Sequence, residues 1–234
     1  MHTRIPQARL AVALDHESLD ASLALAAELA GVVTTLKIGP RLFVTAGPKC
    51  VERVRSLGFD VFLDLKFHDI PETVAGACRA ATRLGVRYLT IHTEGGSEMI
   101  RRAVAATREI AAETGDSPPT VLGITVLTSL ELPEPDGVLV RARAGRDAGI
   151  GGLVASAREV AAIREVVGPE LVLVTPGIRP VGAAAGDQAR VSTPGQAIAG
   201  GSDLLVVGRP ILNASNPRAV AQALVREISD AGSS

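Results

Sequence analysis

The chain has 234 residues, 47% of them hydrophobic, and a formal net charge of -1. This balance excludes a basic surface for nucleic acid or an anionic membrane, so any anionic ligand has to be met by a local site. No apolar run approaches the roughly 20 residues of a membrane span, and the amino-terminal MHTRIPQARLAVALD lacks a secretory apolar core, so a cytoplasmic protein with no membrane partner is expected.

In chain order, apolar runs that read as strands fall at 8–14, 34–38, 61–66, 87–92, 120–126, 151–156, 171–175 and 203–207. Helical stretches near 18–30, 41–57, 72–84, 97–114, 137–148, 158–167, 194–200 and 217–229 alternate with them. Eight alternations without a composition break predict an α/β fold of one domain, a (β/α)8 barrel over residues 1–234, in preference to a doubly wound open sheet. With four Phe, one Tyr and no Trp, the packing falls to Ala, Val, Leu and Ile. Local punctuation fits this register: Pro71 suits the first turn of a helix, Thr193-Pro194-Gly195-Gln196 has the form of a capping box, and Asn216-Pro217 is a second cap-plus-proline start. The segment 177–192 is long and rich in Gly and Ala, as in a mobile loop over a site. Cys50 and Cys78 lack metal-like spacing and read as buried thiols of a reducing compartment.

The carboxyl ends of all strands of a barrel share one rim, so residues far apart in sequence meet over its mouth. Read in order, these ends carry Asp15, Lys37, Asp64 with Lys66, His92, Thr128, Ser156, Pro176-Gly177 and Gly208-Arg209. In VFLDLKFHDIPET (61–73) strand alternation sends Asp64 and Lys66 out together while Leu63 and Leu65 turn away, and Asp69 falls in the connection to the next helix. The chain has only three lysines, Lys37, Lys49 and Lys66, and uses arginine elsewhere. An ammonium gives up a proton where a guanidinium does not, which makes Lys37 and Lys66 candidates for proton chemistry. VVGRP (206–210) ends the eighth strand with a glycine and an arginine where barrels often bind phosphate, and Arg179 or Gln188 is placed to close over it. His16, His68 and His92 lie near the rim without the spacing of a helical zinc pair, so a metal site is disfavoured and His68 and His92 read as structural. No nucleotide-fold glycine motif, Walker loop or GxSxG elbow is present in the sequence.

VALD (12–15), LKIG (36–39), FLDLKFHDIPETV (62–74), TIHTEGG (90–96), TVLTS (125–129), VTPGIR (174–179), GDQARVSTP (186–194) and VVGRP (206–210), in this order, resemble the orotidine 5'-phosphate decarboxylase family. The resemblance implies a (β/α)8 barrel that works as a homodimer, without metal or cofactor, on orotidine 5'-phosphate, yielding uridine 5'-phosphate and carbon dioxide in pyrimidine biosynthesis. It implies that Lys37, Asp64, Lys66 and Asp69 form a charged array around the scissile carboxylate, with Lys66 as proton donor. Asp15 and Lys37 would hold the ribose, Thr128 with Ser129 would face the pyrimidine, and Arg179, Gln188, Gly208 and Arg209 would meet the phosphate. Asp69 and Thr73 would reach the neighbouring subunit's site. The chain departs from the family pattern at Thr93-Glu94, where small residues are common, and at 148–157, which lacks an acidic residue often found there. The related sugar-phosphate barrels share DxKxxD but use magnesium and need a further acidic ligand near strand two, where this chain has Lys37. A barrel retained only as a binding or scaffold protein would be expected to have lost the charged array.

Overall fold

The structure, a computed structural model, describes residues 5–126, 136–180 and 192–232. Eight parallel strands, β1 (Leu10–Ala13), β2 (Thr35–Ile38), β3 (Asp60–Phe67), β4 (Tyr88–His92), β5 (Thr120–Ile124), β6 (Gly152–Val154), β7 (Val172–Thr175) and β8 (Leu204–Val207), pair in sequence order and close through β8 and β1. Every expected strand is present, and the architecture is the (β/α)8 barrel.

Around the barrel lie α1 (Leu19–Leu29), α2 (Pro40–Ala46), α3 (Lys49–Ser56), α4 (Pro71–Arg83), α5 (Gly96–Thr114), α6 (Asp136–Asp147), α7 (Val160–Val167), α8 (Pro194–Ala199), α9 (Arg209–Leu212) and α10 (Pro217–Ala231). The single helix expected over 41–57 is two helices. Gly47 has a φ of 61°, outside the helical region, and Pro48 follows it, so the chain turns and restarts. The punctuation works as read: Thr193 and Gln196 form a reciprocal capping box, Asn216 accepts from the Ala219 amide, and Pro71 opens α4.

Two apolar layers follow from the strand period of two. Leu10, Val12, Leu36, Ile38, Leu63, Leu89, Ile91 and Leu205 face outward and pack under the helices. Ala11, Ala13, Phe62, Leu122, Val174, Leu204 and Val206 fill the interior, where Phe62 meets Tyr88 at 5.8 Å between ring centres. Small residues let the strands approach closely. A Cβ on Gly152 would lie 2.4 Å from the Val172 carbonyl oxygen and 2.7 Å from Leu122 Cδ2. The carbonyl belongs to a neighbouring strand and cannot swing aside, so Gly152→Ala is expected to cost about 1–3 kcal/mol. Thermal melting should register this as a loss of roughly 2–12 °C, and an unchanged melting temperature would rule out the close approach as a constraint.

Candidate active site

Two cavities mark the ends of the barrel. The larger, about 540 Å³, opens at the amino ends of the strands among Thr34, Asp60, Arg87, Tyr88 and Thr120. The smaller, about 240 Å³, opens at the carboxyl ends and contains Asp15, Lys37, Asp64, Lys66, Arg179, Gly208 and Arg209. Size favours the first, but chemistry in this fold belongs to the carboxyl-end loops, and the charged groups converge in the second. Its floor is apolar, formed by Ala13, Phe62, Ile124, Val154 and Val206.

The charges alternate along a line. Lys37 Nζ lies 3.8 Å from Asp15 Oδ1 and 3.2 Å from Asp64 Oδ2, and Lys66 Nζ donates to Asp64 Oδ1 at 2.9 Å. Asp64 and Lys37 are buried, at 8% and 9% exposure, while Asp15 stands at the open edge. Burial alone would raise the Asp64 pKa, but Lys37 and Lys66 together outweigh it and hold the carboxyl below its ordinary value of 3.8. A depressed folded-state pKa contributes stability that is present above the unfolded value and lost as pH falls through the folded one. Asp64 is thus ionised at neutral pH, and the stability it contributes fades only below about pH 4.

Lys66 reaches Asp64 by a different route from the regular alternation expected. Between the pairs Leu63↔Leu89 and Phe67↔Ile91, β3 advances four residues while β4 advances two, so β3 bulges. Within the bulge Lys66 has a φ of 53°, and it is the one non-glycine residue with positive φ among those described. Its amide donates to Thr90 Oγ1 at 2.9 Å, and the same hydroxyl donates to Asp64 Oδ1 at 3.0 Å. Thr90 is fully buried. It was legible in sequence only as a threonine at an inward position of β4.

Gly39 is a second residue missed as a site constraint: a Cβ there would lie 3.4 Å from both Asp15 Oδ1 and Lys37 Nζ. Across the cavity, the chain leaves β7 through Pro176 and Gly177, the latter at φ 79°. The base of the long loop is tied together, since Ile178 bridges Ser192 and the Arg179 amide donates to the Ser192 carbonyl at 3.0 Å. The Arg179 side chain is buried, and Arg209 opens α9 directly after Gly208. The two arginines follow β7 and β8 at the mouth, where Gly208 comes beside Asp15, while Lys37 and Asp64 stand on β2 and β3.

Other expected residues fall elsewhere. Asp69 and Thr73 are exposed and do not line this cavity; Asp69 Oδ1 accepts from the Ile70 amide at 2.6 Å, and Ile70 is 67% exposed beside it. Ser156 is turned away as a local cap, accepting from the Arg158 amide. Thr128 and Gln188 lie outside the described residues, as does most of the loop 177–192.

The departure at the end of β4, Thr93-Glu94, has structural uses. Thr93 is buried and donates to the Ile124 carbonyl at 2.8 Å, while Glu94 pairs with Arg141 at 2.9 Å. His68 and His92 approach within 5.2 Å between ring centres, and with Glu94 they bring three ligand-type atoms within 4.8 Å of one another. Burial first, then His68, Lys66 and Arg141, hold His92 below its ordinary value of 6.5 against the pull of Glu94. The charges of Lys66 and Arg141 beside them oppose a dication at the same place. Burial also pushes the Cys50 and Cys78 thiols up, to about 11 and about 12, so both are unreactive.

Among the described residues no helix is long and apolar enough to cross a membrane. The sequence pattern of the Orotidine 5'-phosphate decarboxylase / HUMPS family matches residues 8–224. The chain is 47% identical to the orotidine 5'-phosphate decarboxylase of Halorhodospira halophila over 96% of this chain and 97% of that one, and 46% identical to that of Moorella thermoacetica over 94% and 92%. A crystal structure of orotidine 5'-phosphate decarboxylase from Lactobacillus acidophilus superposes with a TM-score of 0.83 at 33% identity, covering 94% of this chain and 99% of that one. With the barrel, the alternating charges at its mouth and a match over nearly its whole length, the chain belongs to the orotidine 5'-phosphate decarboxylase / HUMPS family.

Proposed function

We propose that this protein is a carboxy-lyase of pyrimidine biosynthesis that converts orotidine 5'-phosphate into uridine 5'-phosphate and carbon dioxide, using its own side chains. The observation that carries this reading is the line Asp15, Lys37, Asp64, Lys66 over an apolar floor, with Arg179 and Arg209 lining the same cavity. The arginines meet the phosphate, bidentately where geometry allows. Asp15 and Lys37 hold the ribose. The pyrimidine then lies over the floor, with its carboxylate directed toward Asp64 and Lys66.

In the reaction the bond from the ring carbon to the carboxylate breaks, and its electron pair stays on carbon. Lys66 Nζ stabilises that charge and then delivers the proton that replaces carbon dioxide, a task suited to an ammonium and closed to a guanidinium. Asp64 adds repulsion of the substrate carboxylate. At about 4 Å and an effective dielectric near 20 this is worth ~4 kcal/mol, roughly a thousandfold if wholly relieved in the transition state. Cationic stabilisation by Lys66, prepared before the substrate arrives, ranks above it, because it acts where charge develops.

The family includes magnesium-using sugar-phosphate enzymes by the resemblance drawn above, but Lys37 at 3.2 Å from Asp64 fills the place of a cation with an ammonium. We further propose a homodimer in which Asp69 and Thr73 serve the neighbouring site; their exposure, with that of Ile70, supports a contact surface there. Two buried thiols fit the reducing cytoplasm.

The test is the fall in orotidine 5'-phosphate absorbance on adding the protein in excess chelator. Undiminished turnover under those conditions is the expected result. No turnover, or magnesium-dependent turnover of a sugar phosphate instead, would sink the proposal.

A further inference from the structure

We infer that Thr90 is a positioning residue for the decarboxylation, setting both Asp64 and Lys66 through one buried hydroxyl; this rests on the function proposed above. The hydroxyl has one proton and the Lys66 amide can only donate, so the directions are fixed: Thr90 Oγ1 accepts from Lys66 N at 2.9 Å and donates to Asp64 Oδ1 at 3.0 Å. The bulge in β3 removes residues between Leu63 and Phe67 from regular pairing with β4. Thr90 supplies from its side chain an acceptor for the Lys66 amide in that gap. Lys66 sits at φ 53°, a region that L residues avoid because Cβ crowds the carbonyl, and the hydrogen bond to Thr90 helps hold it there.

The consequence concerns where Nζ lies. The same hydroxyl orients the Asp64 carboxylate and anchors the backbone that carries Lys66, so the 2.9 Å contact between Lys66 Nζ and Asp64 Oδ1 is set from both ends. Thr90 is fully buried and does not line the cavity, so it acts through these two neighbours.

Thr90→Val keeps the shape and removes the hydroxyl. With orotidine 5'-phosphate it is expected to lower kcat about 10- to 100-fold, from the loss of a hydrogen bond to a charged group at the reacting centre. KM should stay within about threefold, because phosphate and ribose are held by other residues. Thr90→Ser, which restores the hydroxyl, should return kcat to within about threefold of wild type. A merely structural role would lower the melting temperature and leave kcat per folded site unchanged. Should Thr90→Val fail to fold, Thr90→Cys, with a weaker donor, is expected to show the same split in smaller degree. Wild-type kcat in a folded Thr90→Val or Thr90→Cys variant, with the wild type active, would overturn the inference alone. An inactive wild type would instead count against the functional reading. In that case the crystal structure of Thr90→Val still decides: Lys66 leaving positive φ supports the inference, and Lys66 retained with Nζ against Asp64 overturns it.

Discussion

Lys66→Ala is expected to reduce turnover of orotidine 5'-phosphate at least ten-thousandfold while leaving a folded barrel. Two losses combine in that figure: a positioned proton donor typically contributes about 10²- to 10⁴-fold, and a charge aimed at the developing carbanion about 10²- to 10³-fold. Folding should tolerate the change. Asp64 keeps Lys37 at 3.2 Å and Thr90 at 3.0 Å, so its buried carboxylate is not left without partners. Lys66 itself is a third exposed, so little packing is lost. Lys66→Arg separates charge from proton delivery, since the guanidinium stays protonated; it should remain close to Lys66→Ala in rate. Product binding provides the control, because Arg179 and Arg209 line the cavity from the ends of β7 and β8 and should still hold uridine 5'-phosphate in both variants. Steady-state absorbance assays give the rates and calorimetric titration the product affinity. Equal rates in Lys66→Ala and wild type would remove Lys66 from the chemistry.

The contrast with Asp64 explains why the lysine is the better probe. Removing Asp64 would leave Lys37, 9% exposed, facing Lys66 without the carboxylate between them. Breaking a buried pair in this way costs about 3–5 kcal/mol, so a loss of activity would be confounded by a loss of fold.

The barrel was legible because its strands and helices have different periods, and eight alternations admit few closed arrangements. What stayed hidden were events that leave no periodic trace. The turn at Gly47-Pro48 lies inside a stretch whose apolar spacing remains helical on both sides. At four residues, α9 is too short to show a period at all. The meeting of Asp64 and Lys66 was anticipated from a regular pleat, whereas the chain brings them together through a bulge and a positive φ. Residue types revealed the charge line, but its supports, Thr90 from the next strand and Gly39 beside Lys37, act across strand ends that only the fold brings together. The same applies to His68 and His92, 24 positions apart in sequence and 5.2 Å apart between rings.

Asp69 provides the second large effect. It sits in the connection between β3 and α4 next to an Ile70 that is 67% exposed, and Thr73 is exposed in the first turn of the helix. Neither Asp69 nor Thr73 lines the cavity of its own barrel. An exposed isoleucine flanked by polar groups suits a surface that meets its twin across a two-fold axis, and in the proposed dimer the carboxylate would enter the opposite pocket. Asp69→Ala alone should therefore be nearly inactive, and so should Lys66→Ala alone, yet their lesions would lie in different sites of a mixed dimer. In such a dimer one site combines an intact Lys66 with the partner's intact Asp69, and the other lacks both. Random exchange at equal concentrations makes half of the dimers mixed, so recovered activity should reach about one quarter of wild type. Mixing after mild dissociation, followed by the absorbance assay and native mass measurement of the exchanged species, checks this. Mixed dimers present in quantity without recovered turnover would confine Asp69 to its own subunit and end the shared-site proposal.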